Sequence, residues 1–148
     1  MKQWYSYCVT MGPIGYFMAP GTLASIVSIP VVYALHYYIP DRHIQLGIIV
    51  LLAIFGLWVI RKALVAWRRQ DEDPSEIVFD EFIGCLITWW GIGLTTQTVL
   101  VGFILFRFFD ILKPGGIRFI ERLNGEWGIM IDDILAAILA NIILRFLF

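Results

Sequence analysis

The chain is poor in charged residues for its length. Only 16% of its 148 residues are Asp, Glu, Lys or Arg, while 59% are hydrophobic and the mean hydropathy is +0.79. A soluble domain would carry about a quarter of charged residues. The formal net charge of −1 provides no field of one sign that would attract nucleic acid. We therefore expect an integral membrane protein that forms a single domain over residues 1–148, with no nucleic-acid partner.

Cysteine and histidine are also scarce. Cys8 and Cys85 lie in apolar surroundings, so buried thiols are expected rather than a disulfide framework. Neither begins a Cys-x5-Arg run, which excludes a cysteine-dependent phosphatase. His36 and His43 lie away from the acidic motifs described below, which disfavours zinc. The first ten residues show no cleavage site after a short apolar core, so no removable signal peptide is expected.

Long apolar runs predict an all-α membrane bundle. A spanning helix needs about 20 predominantly apolar residues. Five segments qualify approximately: Thr22–Ile39, Ile44–Trp67, Ile77–Leu94, Val99–Leu112 and Ile129–Phe148. Thr22 is expected to cap the first helix and Pro30 to kink it. The third and fourth segments are short, so four spans plus a re-entrant or half-buried helix is the alternative.

Basic residues predict the orientation of these spans. Arg68 and Arg69 follow the second span, and Lys113, Arg118 and Arg122 follow the fourth. Because cytoplasmic loops carry an excess of Lys and Arg, both loops are expected in the cytoplasm together with the N-terminus. One end of spans one, three, four and five would then meet at the cytoplasmic surface.

Carboxylates interrupt the apolar runs at three of these ends. They are Asp80, Glu81, Asp110, Asp132 and Asp133. A charged side chain at membrane depth costs about 2.5–3.5 kcal/mol on insertion scales. Arg107 and Lys113 flank Asp110 at spacings of three, so these side chains share roughly one helical face. Thr22, Ser25 and the backbone N–H groups at the start of span one add a potential anion site.

This combination of charges favours a metal-dependent phosphate site. Clustered carboxylates need a counter-ion, and oxygen ligands alone favour Mg²⁺. A cation, an Arg, a Lys and a helix N-terminus recur where phosphoryl groups are handled. Structural alternatives exist for each motif: Asp80 could complement a helix dipole, Arg107 and Asp110 could form an ion pair, and Lys113 could extend to lipid headgroups.

The order of these motifs resembles the phosphatidylglycerophosphatase A family of bacterial membrane lipid phosphatases. The matching blocks are Pro20-Gly21-Thr22 with Ser25, Ile77 to Gly84, Phe106 to Pro114 and Gly128 to Asp133. Two positions depart from the family pattern. Gly115-Gly116-Ile117 follows Lys113-Pro114 where an aromatic, a proline and Ile are usual, and Ala137 stands at a usual glycine.

The resemblance implies hydrolysis of phosphatidylglycerophosphate to phosphatidylglycerol and phosphate at the bacterial inner membrane, with Mg²⁺ as cofactor. Asp80, Asp132 and Asp133 would be metal ligands, and Glu81 a fourth ligand or the base that activates water. Asp110 would bind metal or hold Arg107. Arg107 and Lys113 would grip the phosphate, with Thr22 and Ser25 also binding substrate. An aspartyl-phosphate intermediate remains an alternative to attack by water.

Two other classes compete with this interpretation. Intramembrane carboxylates also mark ion pathways, so a small ion- or proton-coupled transporter is the main alternative. Transporters usually show internal repeats and charges near the bilayer midplane, whereas this chain shows no repeat and its charges lie at helix ends. A structural subunit with a charged assembly face is the second alternative.

Overall fold

The structure is a computed structural model that describes residues 4–69, 73–113 and 125–148, and every regular element in these ranges is helical. Two short elements, α1 (Trp4–Val9) and a 3-10 helix (Ile14–Tyr16), precede five longer helices. The longer helices are α2 (Pro20–Tyr38), α3 (Arg42–Trp67), α4 (Phe79–Thr88), α5 (Thr96–Leu112) and α6 (Glu126–Leu147). The predicted all-α class is confirmed, whereas α1 was not predicted.

Helix α2 begins two residues earlier than predicted. Pro20 occupies the first helical position, where its fixed φ and missing N–H are tolerated, and Thr22 therefore lies inside the first turn instead of capping it. Pro30 lies within the helix, as expected. Helix α3 matches its predicted span closely because Asp41 caps it, accepting hydrogen bonds from His43 N–H at 2.7 Å and Ile44 N–H at 3.2 Å.

Helix α4 has only 10 residues, although the apolar run that encodes it continues to Leu94. Its C-terminal carbonyl groups are satisfied by a different helix. The Asn141 side-chain amide in α6 donates to the carbonyl oxygens of Ile87, Thr88 and Trp90 at 3.0–3.1 Å. Arg145 donates to the Trp90 carbonyl at 2.8 Å. The helix of this segment is therefore shorter than the predicted span Ile77–Leu94.

Helix α5 begins three residues before its predicted start at Val99, because Thr95 and Thr98 form a capping box there. The core lies where α3, α4, α5 and α6 pack together. Its fully buried side chains include Trp89, Phe106, Ile60 and Met130. The Trp89 indole donates to the Thr98 carbonyl at 3.0 Å, which satisfies its one polar group.

Among the described residues, α3 and α6 are long and apolar enough to cross a membrane. Five spans are therefore not confirmed: α4 is about 15 Å long at 1.5 Å per residue, roughly half of a bilayer core. Large apolar side chains are nevertheless exposed along α2, α3, α5 and α6, as lipid contact requires. The basic residues Arg118 and Arg122, predicted to lie in a cytoplasmic loop, fall outside the described residues, as does the departure at Gly115-Gly116-Ile117.

The structure also shows the surroundings of the two cysteines and of Ala137. Both cysteines are free, with Cys85 buried as predicted and Cys8 only half-buried. Ala137, at the second departure from the family pattern, is fully buried in α6. The methyl group of Ala137, which the usual glycine lacks, therefore fits within the core.

Candidate active site

A cavity of about 260 Å³ opens where four helix ends meet. The starts of α2, α4 and α6 and the end of α5 contribute side chains to it, so the predicted convergence is present in the structure. The cavity is lined by Ala19, Pro20, Gly21, Thr22, Asp73, Ser75, Ile77, Asp80, Glu81, Arg107, Asp110, Lys113, Asp132 and Asp133. Every predicted site residue except Ser25 is among these.

Three carboxylates form the inner wall of the cavity. One oxygen each of Asp80, Glu81 and Asp133 lies within 4.8 Å of the others. Asp80 and Glu81 occupy the first turn of α4, and Asp133 lies in the second turn of α6. Gly84, in the same helix α4, lets the Phe106 ring of α5 pack closely, because a Cβ there would meet that ring at 2.5 Å. We refer to Asp80, Glu81 and Asp133 as the acidic wall.

The acidic wall holds buried oxygen atoms without a hydrogen-bond partner among the described residues: Asp80 Oδ1, Glu81 Oε2 and Asp133 Oδ2. Burial raises the pKa of Asp80 well above its usual range, with the neighbouring Glu81 charge adding to the effect. Burial likewise raises the pKa of Glu81 to about 7. Like charges in a desolvated space are costly to ionise, and a bound cation reverses that cost.

In the part of the chain that the structure describes, the two cations of the site lie opposite carboxylates. The Arg107 guanidinium donates to Asp110 Oδ2 and lies 4.0 Å from Glu81 Oε1. The Lys113 ammonium donates to Asp132 Oδ2 at 2.5 Å. Asp132 also accepts from the Asp133 N–H at 2.9 Å, so both oxygens of this predicted metal ligand are engaged in hydrogen bonds. The predicted pairing of Arg107 with Asp110 is present.

The start of α2 forms the wall beside Glu81 and Arg107. A Cβ on Gly21 would lie 2.1 Å from Glu81 Oε1 and 3.1 Å from Arg107 Nη1, so only glycine permits this approach. The first hydrogen bond of α2 runs from Leu23 N–H to the Ala19 carbonyl, which leaves the Gly21 and Thr22 N–H groups without an acceptor inside the helix. Such groups bind anions.

Ser25 occupies a different place from the one predicted. Its side chain is fully buried, and its hydroxyl donates to the Gly21 carbonyl at 2.8 Å. Its own carbonyl accepts a weak hydrogen bond from the Cys85 thiol at 3.8 Å. Ser25 therefore supports the backbone of the first turn of α2 from behind the cavity.

Among the described residues that line the cavity, carboxylates outnumber cations by six to two. This imbalance favours a bound divalent cation, and the carboxylate-only donor set suits a hard ion such as Mg²⁺. The unpartnered oxygens of the acidic wall supply the geometric test: each is buried and lacks the partner that a buried polar atom normally has. The residues present therefore fit a metal ion.

Comparison with known proteins identifies the chain. The family model described as phosphatidylglycerophosphatase A matches residues 7–148. The chain belongs to the phosphatidylglycerophosphatase A family. It is therefore a phosphatase, and the apolar helices α3 and α6 agree with a membrane-associated member. Membership in this family of enzymes gives no support to the transporter alternative.

Three relatives illustrate the family. A phosphatidylglycerophosphatase A of Escherichia coli is 34% identical over 148 residues, covering 99% of this chain and 84% of its own. That of Haemophilus influenzae is 53% identical over 73 residues, covering 48% and 45%. A protein of Bacteroides thetaiotaomicron, provisionally named phosphatidylinositol-3-phosphatase, is 33% identical over 132 residues, covering 85% and 81%. No solved structure matches the chain.

Two polar residues that line the cavity, Asp73 and Ser75, were not predicted from the sequence. Asp73 and Ser75 precede α4 in a polar stretch that was interpreted only as a surface loop. Both residues line the cavity, and the Asp73 carboxylate lies near those of Asp80 and Asp132. Nothing distinguishes them locally from other loop residues, because a polar side chain in a polar stretch carries no burial cost that would mark it.

Proposed function

We propose that this phosphatase hydrolyses phosphatidylglycerophosphate to phosphatidylglycerol and phosphate, with Mg²⁺ as its cofactor. The observation that carries the proposal is the cavity itself, which joins an acidic wall with unpartnered buried oxygens to two cations and a helix N-terminus. The names of the Escherichia coli and Haemophilus influenzae relatives support the substrate. Asp80 and Asp133 would hold the metal ion, and Glu81 lies beside them at the edge of the metal site. When bound, the ion supplies charge neutralisation and polarisation of the phosphoryl group.

The opposite side of the cavity would bind the phosphate oxygens. Arg107 provides a planar set of N–H donors and Lys113 a compact positive charge. Asp110 and Asp132 hold these cations in place through their hydrogen bonds. Thr22 and the first N–H groups of α2 complete the anion site. Charge that develops on the phosphoryl oxygens would thus meet donors already oriented toward it.

Glu81 is best placed to accept the proton of the attacking water. Its Oε2 atom is buried and has no hydrogen-bond partner in the described residues, while Oε1 faces Arg107 at 4.0 Å. The carboxylate therefore lies between the metal-binding and phosphate-binding sides of the cavity. A base at this boundary can orient water toward the phosphorus atom.

The proposed location is the bacterial inner membrane, with a multi-pass chain and the cavity facing the cytoplasm. The basic residues beside the cavity end of the bundle support this orientation through the positive-inside rule. Arg68 and Arg69 follow α3 at that end, and Lys113 follows α5. A lipid phosphate made from cytoplasmic precursors would meet such a site directly.

Phosphate release from purified protein in detergent tests the proposal. EDTA should abolish activity and Mg²⁺ should restore it. Asp80→Asn, Asp132→Asn and Asp133→Asn should each lower kcat by at least about 100-fold, because ligand and supporting carboxylates both affect metal affinity and alignment. Glu126→Gln is the matched control, since Glu126 lies on α6 outside the cavity and faces the exposed Arg61. Undiminished activity in Asp80→Asn and Asp133→Asn would contradict the metal-site proposal.

A substrate panel separates the headgroups. The Bacteroides relative's name raises phosphatidylinositol 3-phosphate as a second candidate substrate. We expect the highest kcat/KM for phosphatidylglycerophosphate when it is compared with this lipid and with phosphatidic acid. A preference for phosphatidylinositol 3-phosphate would reassign the substrate while leaving the phosphatase chemistry intact.

A further inference from the structure

Three consecutive large side chains are exposed immediately before the cavity begins. Tyr16 and Phe17 are 57% and 58% exposed, and Met18 is fully exposed at 104%. The next residues, Ala19 and Pro20, line the cavity. An apolar surface thus adjoins one of the most highly charged spaces in the described part of the chain.

The backbone around this segment is fixed by specific contacts. Gly15 N–H donates to the Thr10 carbonyl at 2.9 Å, and Phe17 N–H donates to the Ile14 carbonyl at 3.2 Å. A Cβ on Gly15 would lie 2.1 Å from the Glu76 carbonyl oxygen, so the chain packs tightly there. The exposure of Phe17 and Met18 therefore follows from the local fold.

Helix α5 brings a second apolar surface to the cavity edge. Leu100, Ile104, Phe108 and Ile111 are exposed at helical spacing and form one stripe along α5. Phe108 and Ile111 directly follow Arg107 and Asp110, which line the cavity. The stripe therefore runs alongside the charged face of the same helix and reaches the level of the phosphate-binding residues.

We propose that Phe17, Met18, Phe108 and Ile111 form an apolar rim that holds the acyl chains of the substrate lipid while its phosphate occupies the cavity. This inference rests on the proposed function, namely that the substrate is a lipid phosphomonoester. The argument is one of complementarity: a charged cavity bordered by exposed apolar side chains matches a charged headgroup joined to hydrocarbon. A water-soluble phosphomonoester would gain nothing from such a rim.

Comparing two forms of one substrate tests the apolar rim. The probes are phosphatidylglycerophosphate with six-carbon chains, used as a monodisperse solution, and the same lipid with eighteen-carbon chains in mixed micelles. The double substitution Phe17→Ser/Met18→Ser should lower the ratio of kcat/KM for the long-chain to the short-chain lipid by at least tenfold. Phe108→Ser, on the other side of the cavity, should lower the same ratio independently.

Tyr37→Ser/Tyr38→Ser is the matched control, because these side chains are 79% and 76% exposed at the far end of α2. This control should leave the ratio unchanged. A rim variant that loses activity equally on both lipids, or that keeps the wild-type ratio, overturns the inference. Failure of the proposed function would give a different result, because the wild-type protein would then hydrolyse neither lipid. In that case the proposed acyl-chain binding by the rim would fail as well.

Discussion

At the scale of single residues, Gly21 is the point where α2 comes closest to the acidic wall. Replacing it with Ala would place a methyl group 2.1 Å from Glu81 Oε1, so the carboxylate must move. The displaced atom is the end of a flexible side chain, so folding should be little affected. A displacement of about 1 Å at a catalytic group can cost about 100-fold in rate. We therefore expect Gly21→Ala to lower kcat by about this factor with a Tm close to wild type.

Gly47→Ala provides the control for that measurement. Gly47 is an exposed position inside α3, and a Cβ there would meet nothing within 4 Å. Ala should stabilise the helix by up to about 1 kcal/mol and leave kcat unchanged. A Gly21→Ala enzyme with wild-type kcat would contradict the assigned proximity of α2 to Glu81.

Asp133 allows the metal site to be tested through stability instead of activity. Its buried carboxylate faces Asp80 and Glu81, and such like charges repel one another in the absence of a cation. In EDTA, Asp133→Asn should therefore unfold at a higher temperature than the wild type. Mg²⁺ should raise the Tm of the wild type, because a ligand that binds only the folded state stabilises it, and should leave the variant unchanged. A wild-type Tm that does not respond to Mg²⁺ would argue against the site.

The charged residues of the cavity were largely predictable because they violate the apolar pattern around them. Asp80, Asp110 and Asp132 each stand in a hydrophobic run, where an unpaired charge is expensive. Asp73 has no such contrast with its neighbours, and its contribution to the cavity depends on how the loop folds back. The engagement of Asp132 with Lys113 could not be predicted either, because these residues come from different helices.

At the scale of elements, α4 depends on α6 for its C-terminal end. The Asn141 amide replaces the hydrogen bonds that the next helical turn would have supplied to the Ile87 and Thr88 carbonyls. Asn141→Leu keeps the volume but removes the donor. The Thr88 carbonyl would then be left without a hydrogen-bond partner among the described residues, at a cost of about 1–3 kcal/mol, so we expect a clear loss of thermal stability.

The exposed neighbour Ile142 supplies the comparison, since Ile142→Leu keeps both size and polarity. Thermal unfolding in detergent should separate the two variants, with only Asn141→Leu showing a lower Tm. Equal Tm values would mean that α4 ends for another reason.

This dependence also explains why the start of α3 was predicted more closely from the sequence than the end of α4. Helix α3 begins directly after Asp41, a capping residue next to the apolar run, so its start can be predicted from the local sequence. The run that encodes α4 contains no breaker between Thr88 and Trp90. Gly91, which follows with a φ of +68°, is the first local breaker, and Asn141 and Arg145, about 50 residues later in the chain, bind the carbonyl groups where the helix ends. A local pattern cannot contain such a contact.

At the scale of the whole molecule, the chain directions place all charged cavity residues at one end of the bundle. Helices α2, α4 and α6 begin there, and α5 ends there. Thr96, at the start of α5, is exposed at the far end of that helix, about 25 Å away for 17 residues. Ser75 is exposed beside the cavity. Labels placed at Ser75 and Thr96 would therefore report on opposite ends of the molecule.

Labelling of introduced cysteines from each side of the membrane tests the proposed orientation. In a chain whose Cys8 and Cys85 are replaced by Ser and Ala, an impermeant thiol reagent should modify Ser75→Cys only in inside-out vesicles. Thr96→Cys should react only in right-side-out vesicles, because α5 carries it away from the cavity end. Since phosphatase activity requires both the cavity and access to its substrate, each variant should first be shown to retain activity. Reaction of Ser75→Cys from outside would place the acidic wall on the wrong face for a lipid made in the cytoplasm.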